Sequence, residues 1–341
     1  MSQVLLLTGV FVVSLLLTGV IRRYAIANQV VDIPTARSSH TLATPRGGGI
    51  SIVITFSIAL IILYIYNRIE LNVIYAFLMG GLVVGIIGFI DDHRHIPARW
   101  RIIVHILAAL WALYWLGQNS LIHLNDGILH HGLYVDFAAL FLITWFLNLY
   151  NFMDGIDGIA SVEAITTAGA AAFIIFSISP DNEQSHNYVL ALSLLLVAAL
   201  GFLVWNWPPA KIFMGDVGSG YLGYIFALFA ITTTLESYMT IWTWFILLGV
   251  FIVDATITLL RRIFGGQRWY EAHRSHAYQH AALRWDSHSK VTLFVFLINI
   301  IWLFPLAWLA TYNPEWGAAL TIVAYIPLLT LAFYLRAGKI Y

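Results

Sequence analysis

The chain reads as an all-α integral membrane protein, a polytopic bundle of about eleven transmembrane helices with a cytoplasmic active-site cleft. Three observations predict this. Only 10% of the residues are charged against 60% hydrophobic, with a mean hydropathy of +0.83, whereas soluble domains carry roughly a quarter charged residues. Apolar runs of about 18–25 residues recur along the whole length, each long enough to cross a bilayer as a helix. The aspartates fall in tight groups at the ends of those runs: Asp91 with Asp92, Asp154 with Asp157, then Asp216.

Taken in order, the apolar runs predict spans at 3–21, 48–66, 71–90, 100–117, 135–151, 159–178, 188–205, 217–234, 240–260, 289–311 and 317–335. The first has no cationic stretch before it and no small-residue cleavage site, so it reads as a retained helix rather than a signal peptide. No linker is long enough to set off a soluble domain, and residues 1–341 form a single transmembrane domain. Threading the chain through these spans puts 16 of its 17 Lys and Arg on one side and Arg68 alone on the other. Basic residues accumulate on the cytoplasmic side, so the N-terminus is expected outside and the C-terminus in the cytoplasm, as in a multi-pass protein of a bacterial inner membrane. The exterior segments 118–134 and 179–187 read as solvated connections, and His123, His130 and His131 as part of an interfacial amphipathic turn. The absence of cysteine excludes disulfides and thiol chemistry.

Five segments on the predicted cytoplasmic face carry polar chemistry. GGLVVGIIGFIDD ends in Asp91 and Asp92. Adjacent carboxylates repel, and at a helix C-terminus they also oppose the macrodipole, so a cation or a proton-transfer role is favoured over a merely solvated pair. NLYNFMDGIDGIAS sets Asn151, Asp154 and Asp157 at three-residue spacing, on roughly one face if the segment is helical, although DG pairs are also ordinary turn signals. In NWPPAKIFMGDVGSG, Asp216 stands between Gly215 and Gly218 just before a span. It is a cap or a metal ligand, and hard oxygen donors without cysteine point to Mg²⁺ or Mn²⁺.

The segment 265–290 holds His273, His276, His280 and His288 with Arg268, Arg274 and Arg284, a density suited to a diphosphate. Topology alone explains the arginines but not the histidines. Zinc is the competing reading, weakened by the lack of an HExxH arrangement. Finally, VVDIPTARSSHTLATPRGGGIS contains Pro34, Pro45 and three consecutive glycines that forbid a regular helix. It offers Arg37, His40 and Arg46 on a loop that faces phosphate. An ion-coupled transporter is the alternative from a different class. Its mid-span candidates are His105, Glu163 and Asp254, but the halves show no repeat symmetry of the kind such folds carry.

The ordered set DIPTARSSHTLATPRGGG, FIDD, NLYNFMDGIDG, FMGDVGSG and HRSHAYQ resembles the polyprenyl-phosphate N-acetylhexosamine-1-phosphate transferases, glycosyltransferase family 4. The resemblance covers essentially the whole chain and implies a bundle of ten or eleven helices around a cytoplasmic cleft. It implies transfer of a sugar-1-phosphate from a UDP-N-acetylhexosamine to undecaprenyl phosphate with release of UMP. It also implies that Asp216, aided by Asn151, holds the Mg²⁺, and that Asp91 and Asp92 help bind the metal or deprotonate the lipid phosphate. On the same footing, Asp154 and Asp157 line the nucleotide-sugar cleft, and Arg274 and His276 bind the diphosphate, with Arg37, His40, Arg46 and Lys211 as further substrate contacts.

The loop ATPRGGG is similar to the branch that starts O-antigen and enterobacterial common antigen chains, whereas the peptidoglycan branch has a TPTMGG-like loop. HRSHAYQ also lacks the run of three histidines. Both departures favour a surface-polysaccharide initiator over a phospho-MurNAc-pentapeptide transferase. GlcNAc, FucNAc and QuiNAc all suit the donor pocket of this branch. Dimers occur in the family, so a homodimer is compatible with the resemblance, and no nucleic acid is expected as a partner.

Overall fold

The computed structural model describes residues 2–34, 42–94, 96–117, 122–124, 127–129, 133–267 and 274–339. Arg37, His40, His130, His131, Arg268 and His273 lie outside the described residues. The molecule is a multi-pass helical bundle. Among the described residues nine helices are long and apolar enough to cross a membrane: Gln3–Ala27, Leu71–His93, Ala98–Leu116, Tyr134–Met153, Ile159–Ile178, Glu183–Asn206, Asp216–Leu235, His288–Tyr312 and Pro314–Tyr334. The shorter apolar helix Ile50–Ile65 and the pair Ile241–Leu247 and Gly249–Phe264 complete the eleven expected segments.

One expectation needs correction. The span expected at 240–260 is not one straight helix, because its halves meet at 79°. The second half is two-faced: Asp254, Thr258 and Arg262 are buried while Leu260, Ile263 and Phe264 are exposed. A straight continuation would carry that polar face out of the contacts described below. Within the segment 118–134, expected as a solvated connection, lies a short antiparallel hairpin, with Ile122 opposite Leu129 and Leu124 opposite Gly127.

Helix Asp216–Leu235 is the axis of the bundle, with 94% of its apolar window buried, against 28% for the first helix. With no hydrophobic drive between helices in lipid, close approach through small residues is what holds such an axis in place. Gly80, Gly81 and Gly88 provide that close approach on helix 71–93. A Cβ at Gly81 would meet the Tyr221 ring at 2.8 Å, and one at Gly88 would meet the Asp216 carbonyl at 2.6 Å. The outer faces of the peripheral helices show Leu5, Val12, Leu16 and Val20, then Ile322 and Ile326, to the surroundings, as lipid contact requires.

The helix ends divide between two faces. Arg68 lies with Glu70, Leu116, Glu183 and Glu236 around a cavity of about 1130 Å³. The Asp92, Asn151 and Asp216 ends meet at the other face.

Candidate active site

The site is assembled by an ordered loop and three helix tips. Residues 44–49 run beside 213–214: Phe213 N–H donates to Pro45 O at 2.8 Å, Gly48 N–H to Phe213 O at 2.9 Å, and Gly49 N–H to Met214 O at 2.9 Å. This ladder carries Arg46 to the start of helix 216–235. Gly215 precedes that helix with φ +77°, and a Cβ there would lie 2.3 Å from an Asp92 oxygen. Only glycine lets the chain turn so close to the carboxylate.

Asp92 is fully enclosed. It accepts from Asp216 N–H at 2.9 Å and Val217 N–H at 3.3 Å, and pairs with Arg46 Nε at 2.8 Å. It therefore caps the very helix whose first residue is Asp216, satisfying backbone donors that a helix start leaves open. Asp91 faces the other way round the helix. Its Oδ1 accepts from Ile96 N–H at 2.6 Å and its Oδ2 from Arg101 Nη1 at 2.7 Å. Asp216 takes Arg46 Nη2 at 2.5 Å on one oxygen and Arg101 Nη1 on the other.

The Asp91 and Asp216 carboxyls lie within hydrogen-bond reach of one another, and the Asn151 amide touches Asp216. Asn151 also donates to Ser219 Oγ at 3.1 Å. Three carboxylates against two guanidiniums leave one negative charge in excess. The Asp91 and Asp216 carboxyls approach closely enough to need a proton or a cation between them. Arg46 lies within reach of the negative charges of Asp216, Asp92, Asp32 and Asp91. Its guanidinium is partly desolvated, which weighs against the charged form, but those carboxylates outweigh it and raise its pKa above the ordinary value.

Arg101 was not singled out from the sequence, where it counted only as a topology charge. Its signal was its place in the first turn of a helix restarted after Pro97, ten residues beyond Asp91.

Helix 133–153 ends at Met153, and 154–158 is a turn. The expected common face for Asn151, Asp154 and Asp157 is therefore not formed, because the helix ends at Met153 and Gly155 lies in the turn that follows. Asp154 stays with the cluster. Burial pushes its carboxyl well above the usual range, and the negative charge of Asp216 adds to this. Asp157 turns to the segment before the metal-ligand candidate, accepting from Ala210 N–H at 3.0 Å and lying 3.3 Å from His288 Nδ1. Lys211 is at the rim: its ammonium lies over the Trp205 ring at 5.7 Å, and its carbonyl accepts from Arg22 Nε at 3.1 Å.

The basic segment docks through Asp254, which accepts from Thr258 Oγ1 at 3.0 Å, Ala277 N–H at 2.9 Å and Tyr278 N–H at 2.9 Å, and lies 3.2 Å from His276 Nδ1. Helix Ala277–Trp285 is thus held at its start, and Tyr278 Oη donates to Phe152 O at 3.0 Å, against Gly155. The mid-span Asp254 of the transporter reading is accounted for by this cap. Burial depresses the Arg274 pKa, and its Nε is enclosed with no partner among the described residues.

As to a metal, the donors around Asp216 are all hard oxygens and suit Mg²⁺ or Mn²⁺. Among the described residues no group of three or more His, Asp or Glu forms a ready cation cage. The guanidiniums of Arg46 and Arg101 bridge the carboxylates instead.

This arrangement defines a cluster of carboxylates and guanidiniums at the helix ends of a multi-pass bundle, and the chain is similar to known membrane transferases. A family model described as Glycosyl transferase family 4 matches residues 74–234, a stretch that contains all six of the singled-out acidic and amide residues from Asp91 to Asp216. The chain is 28% identical over 316 residues to a probable undecaprenyl-phosphate N-acetylglucosaminyl 1-phosphate transferase of Bacillus subtilis (strain 168), covering 85% of this chain and 81% of the relative. It is 24% identical over 260 residues to the phospho-N-acetylmuramoyl-pentapeptide-transferase of Streptococcus pneumoniae (strain CGSP14), covering 72% and 77%. The corresponding protein of Streptococcus agalactiae serotype Ia is 29% identical over 230 residues, covering 63% and 65%. Over residues 74–234, somewhat less than half of its length, the chain is similar to glycosyl transferase family 4.

Proposed function

We propose that this protein transfers N-acetylhexosamine-1-phosphate from a UDP-sugar to undecaprenyl phosphate, releasing UMP and forming the lipid-linked diphosphate sugar that starts a surface polysaccharide. A lipid phosphate oxygen attacks the sugar-bearing phosphorus of the donor. The P–O bond to the UMP phosphate breaks, and UMP departs with the bridging oxygen. The observation that carries this reading is the meeting of Asp91, Asp92 and Asp216 with Arg46 and Arg101 at three helix tips.

Two anionic phosphates must approach, and unit charges about 4 Å apart repel by roughly 1 kcal/mol even in water. Arg46 and Arg101 can exchange their carboxylate partners for phosphate oxygens, and Arg274 offers its uncommitted Nε to the diphosphate. Asp216 and Asn151 would hold Mg²⁺ or Mn²⁺, which when bound would offset the phosphate charge and stabilise the departing UMP. Asp91, freed from Arg101, is placed to accept a proton from the lipid phosphate. Asp92 acts by holding the helix start that presents Asp216. His276, clamped by Asp254, orients the basic segment over the Asp154 turn.

The charge-bearing face is cytoplasmic in this reading, with the N-terminus in the periplasm. The chain lacks native cysteine, so single cysteines introduced at Lys339 and Arg68 should label from opposite sides with a membrane-impermeant maleimide.

The deciding assay is UMP release from UDP-GlcNAc in the presence of undecaprenyl phosphate, with and without EDTA. Release that requires lipid and divalent ion supports the reading. No release with any UDP-N-acetylhexosamine refutes it, and release unaffected by EDTA removes the metal. The streptococcal relatives support a second donor, UDP-MurNAc-pentapeptide, and including it in the donor panel separates the two branches.

A further inference from the structure

Helix 159–178 carries one ionisable side chain, Glu163, and it is wholly enclosed. Across the seam with helix 288–312, the Asn299 amide donates to Glu163 Oε2 at 2.7 Å and to Thr166 Oγ1 at 2.8 Å. Asn299 belongs to the π-helical stretch Ile298–Leu303, a wider turn that re-aims side chains and recurs at functional positions.

The hydrogen-bond inventory does not close. Asn299 has spent both amide hydrogens, and the Thr166 hydroxyl donates to Val162 O at 2.9 Å. Glu163 Oε1 and Asn299 Oδ1 are left buried with no partner among the described residues, as is Thr167 Oγ1. The first two are acceptors that need a donor or a cation. An ionised carboxylate in the membrane interior needs a counter-charge.

The neighbouring elements do not supply one. Helix 133–153 presents Tyr150, whose hydroxyl is committed to Ala160 O at 3.1 Å. Helix 288–312 has His288 and Lys290 only in its first turn, and His288 faces Asp157 at 3.3 Å. Helix 183–206 has Glu183 and His186 at its far end, with Glu183 paired to Arg68 at 3.2 Å. Helix 241–247 and the stretch 304–312 contain no charged residue.

We propose that Glu163 and Asn299 form a binding site for one monovalent cation, a proton or a sodium ion, buried between helices 159–178 and 288–312. Either source provides what both leftover oxygens lack: an O–H between carboxyl and amide, or an ion that takes their lone pairs. The same two helices also grip the acidic turn, where Thr292 Oγ1 donates to Asp157 O at 2.8 Å.

The test uses the full-length protein in detergent, unfolded in sodium chloride and in choline chloride at equal ionic strength, with infrared spectra of the carboxyl region. Glu163→Gln supplies an uncharged donor of the same shape. If sodium is the occupant, the wild type melts roughly 2–4 °C higher in sodium, and Glu163→Gln shows no difference between the salts. If a proton is the occupant, the salts are equivalent and the wild type shows a protonated-carboxyl band that Glu163→Gln lacks. A wild type with neither response overturns the site, as does a Glu163→Gln protein with the wild-type response. Should Glu163→Gln fail to fold, Asn299→Ala replaces it: a lost sodium shift or a displaced band supports the site, and an unchanged one overturns it.

Discussion

The acidic centres around Asp216 and Asp254 lie on the same face, and both carboxylates sit in helical segments. Asp254 is closed: a hydroxyl, two backbone N–H groups and an imidazole, all from the chain itself, use its oxygens. Asp216 is under-served. Its partners are two arginines that are about a third and a quarter exposed and the Asn151 amide, and another carboxyl lies within hydrogen-bond reach. A carboxylate surrounded by fixed internal donors builds structure, whereas one shared between mobile cations and like charge is available to exchange partners with a substrate or a metal. Burial does not separate the two roles, but the identity of the partners does.

The sharpest way to break this contrast is at its open end. Asp216→Asn should lower UMP release by about a thousandfold or more, the upper range for losing one preorganised charged contact, while the unfolding temperature stays close to wild type. Near-normal turnover would make Asp216 a mere helix start. Arg101→Lys keeps the charge but loses the geometry that serves Asp91 and Asp216 together. A rate loss of about ten- to a hundredfold is expected, measured in the same assay, and a silent variant would remove Arg101 from the site.

At the closed end the order of effects reverses. Asp254→Asn leaves the His276 ring and a helix start poorly matched and should cost about 3 kcal/mol of stability, read as a drop in melting temperature. Turnover per folded molecule should stay within about tenfold. If activity collapses while stability holds, Asp254 belongs to the chemistry.

Asp154 gives a pH test of smaller size. Its folded-state pKa is raised by burial and by Asp216, so above the ordinary carboxylate pKa the folded state holds a proton that the unfolded chain has released. Stability is then fully present at low pH and falls as pH rises through the folded value. Melting temperatures in metal-free buffer should decline over that window for the wild type and decline less for Asp154→Asn, and parallel profiles would contradict this. The smallest effect is expected on the opposite face, where Arg68 meets Glu183 at 3.2 Å with both groups well exposed. Arg68→Ala should cost no more than about 1 kcal/mol and leave UMP release unchanged. A large loss would mean that the far face takes part.

Which residues gather in the candidate site was largely legible in the chain. Apolar runs as long as a bilayer is thick can satisfy their backbone only as helices, so the number and order of helical segments followed from composition. Rationed carboxylates at their ends marked the reactive face. Arg46, Asp91, Asp92, Asn151, Asp154 and Asp216 do come together there. Other assignments depended on how side chains meet. A sequence cannot show that Asp92 spends its oxygens capping the helix of Asp216, because that contact spans 124 residues. Asp157 points away from Asn151 because the helix ends at Met153 and the chain turns between them, and Arg101 reads as a topology charge until helix 98–116 is packed beside Asp91. Periodicity and composition are properties of neighbours along the chain. Partners of buried charges are chosen by neighbours in space, and those are set only when the helices pack.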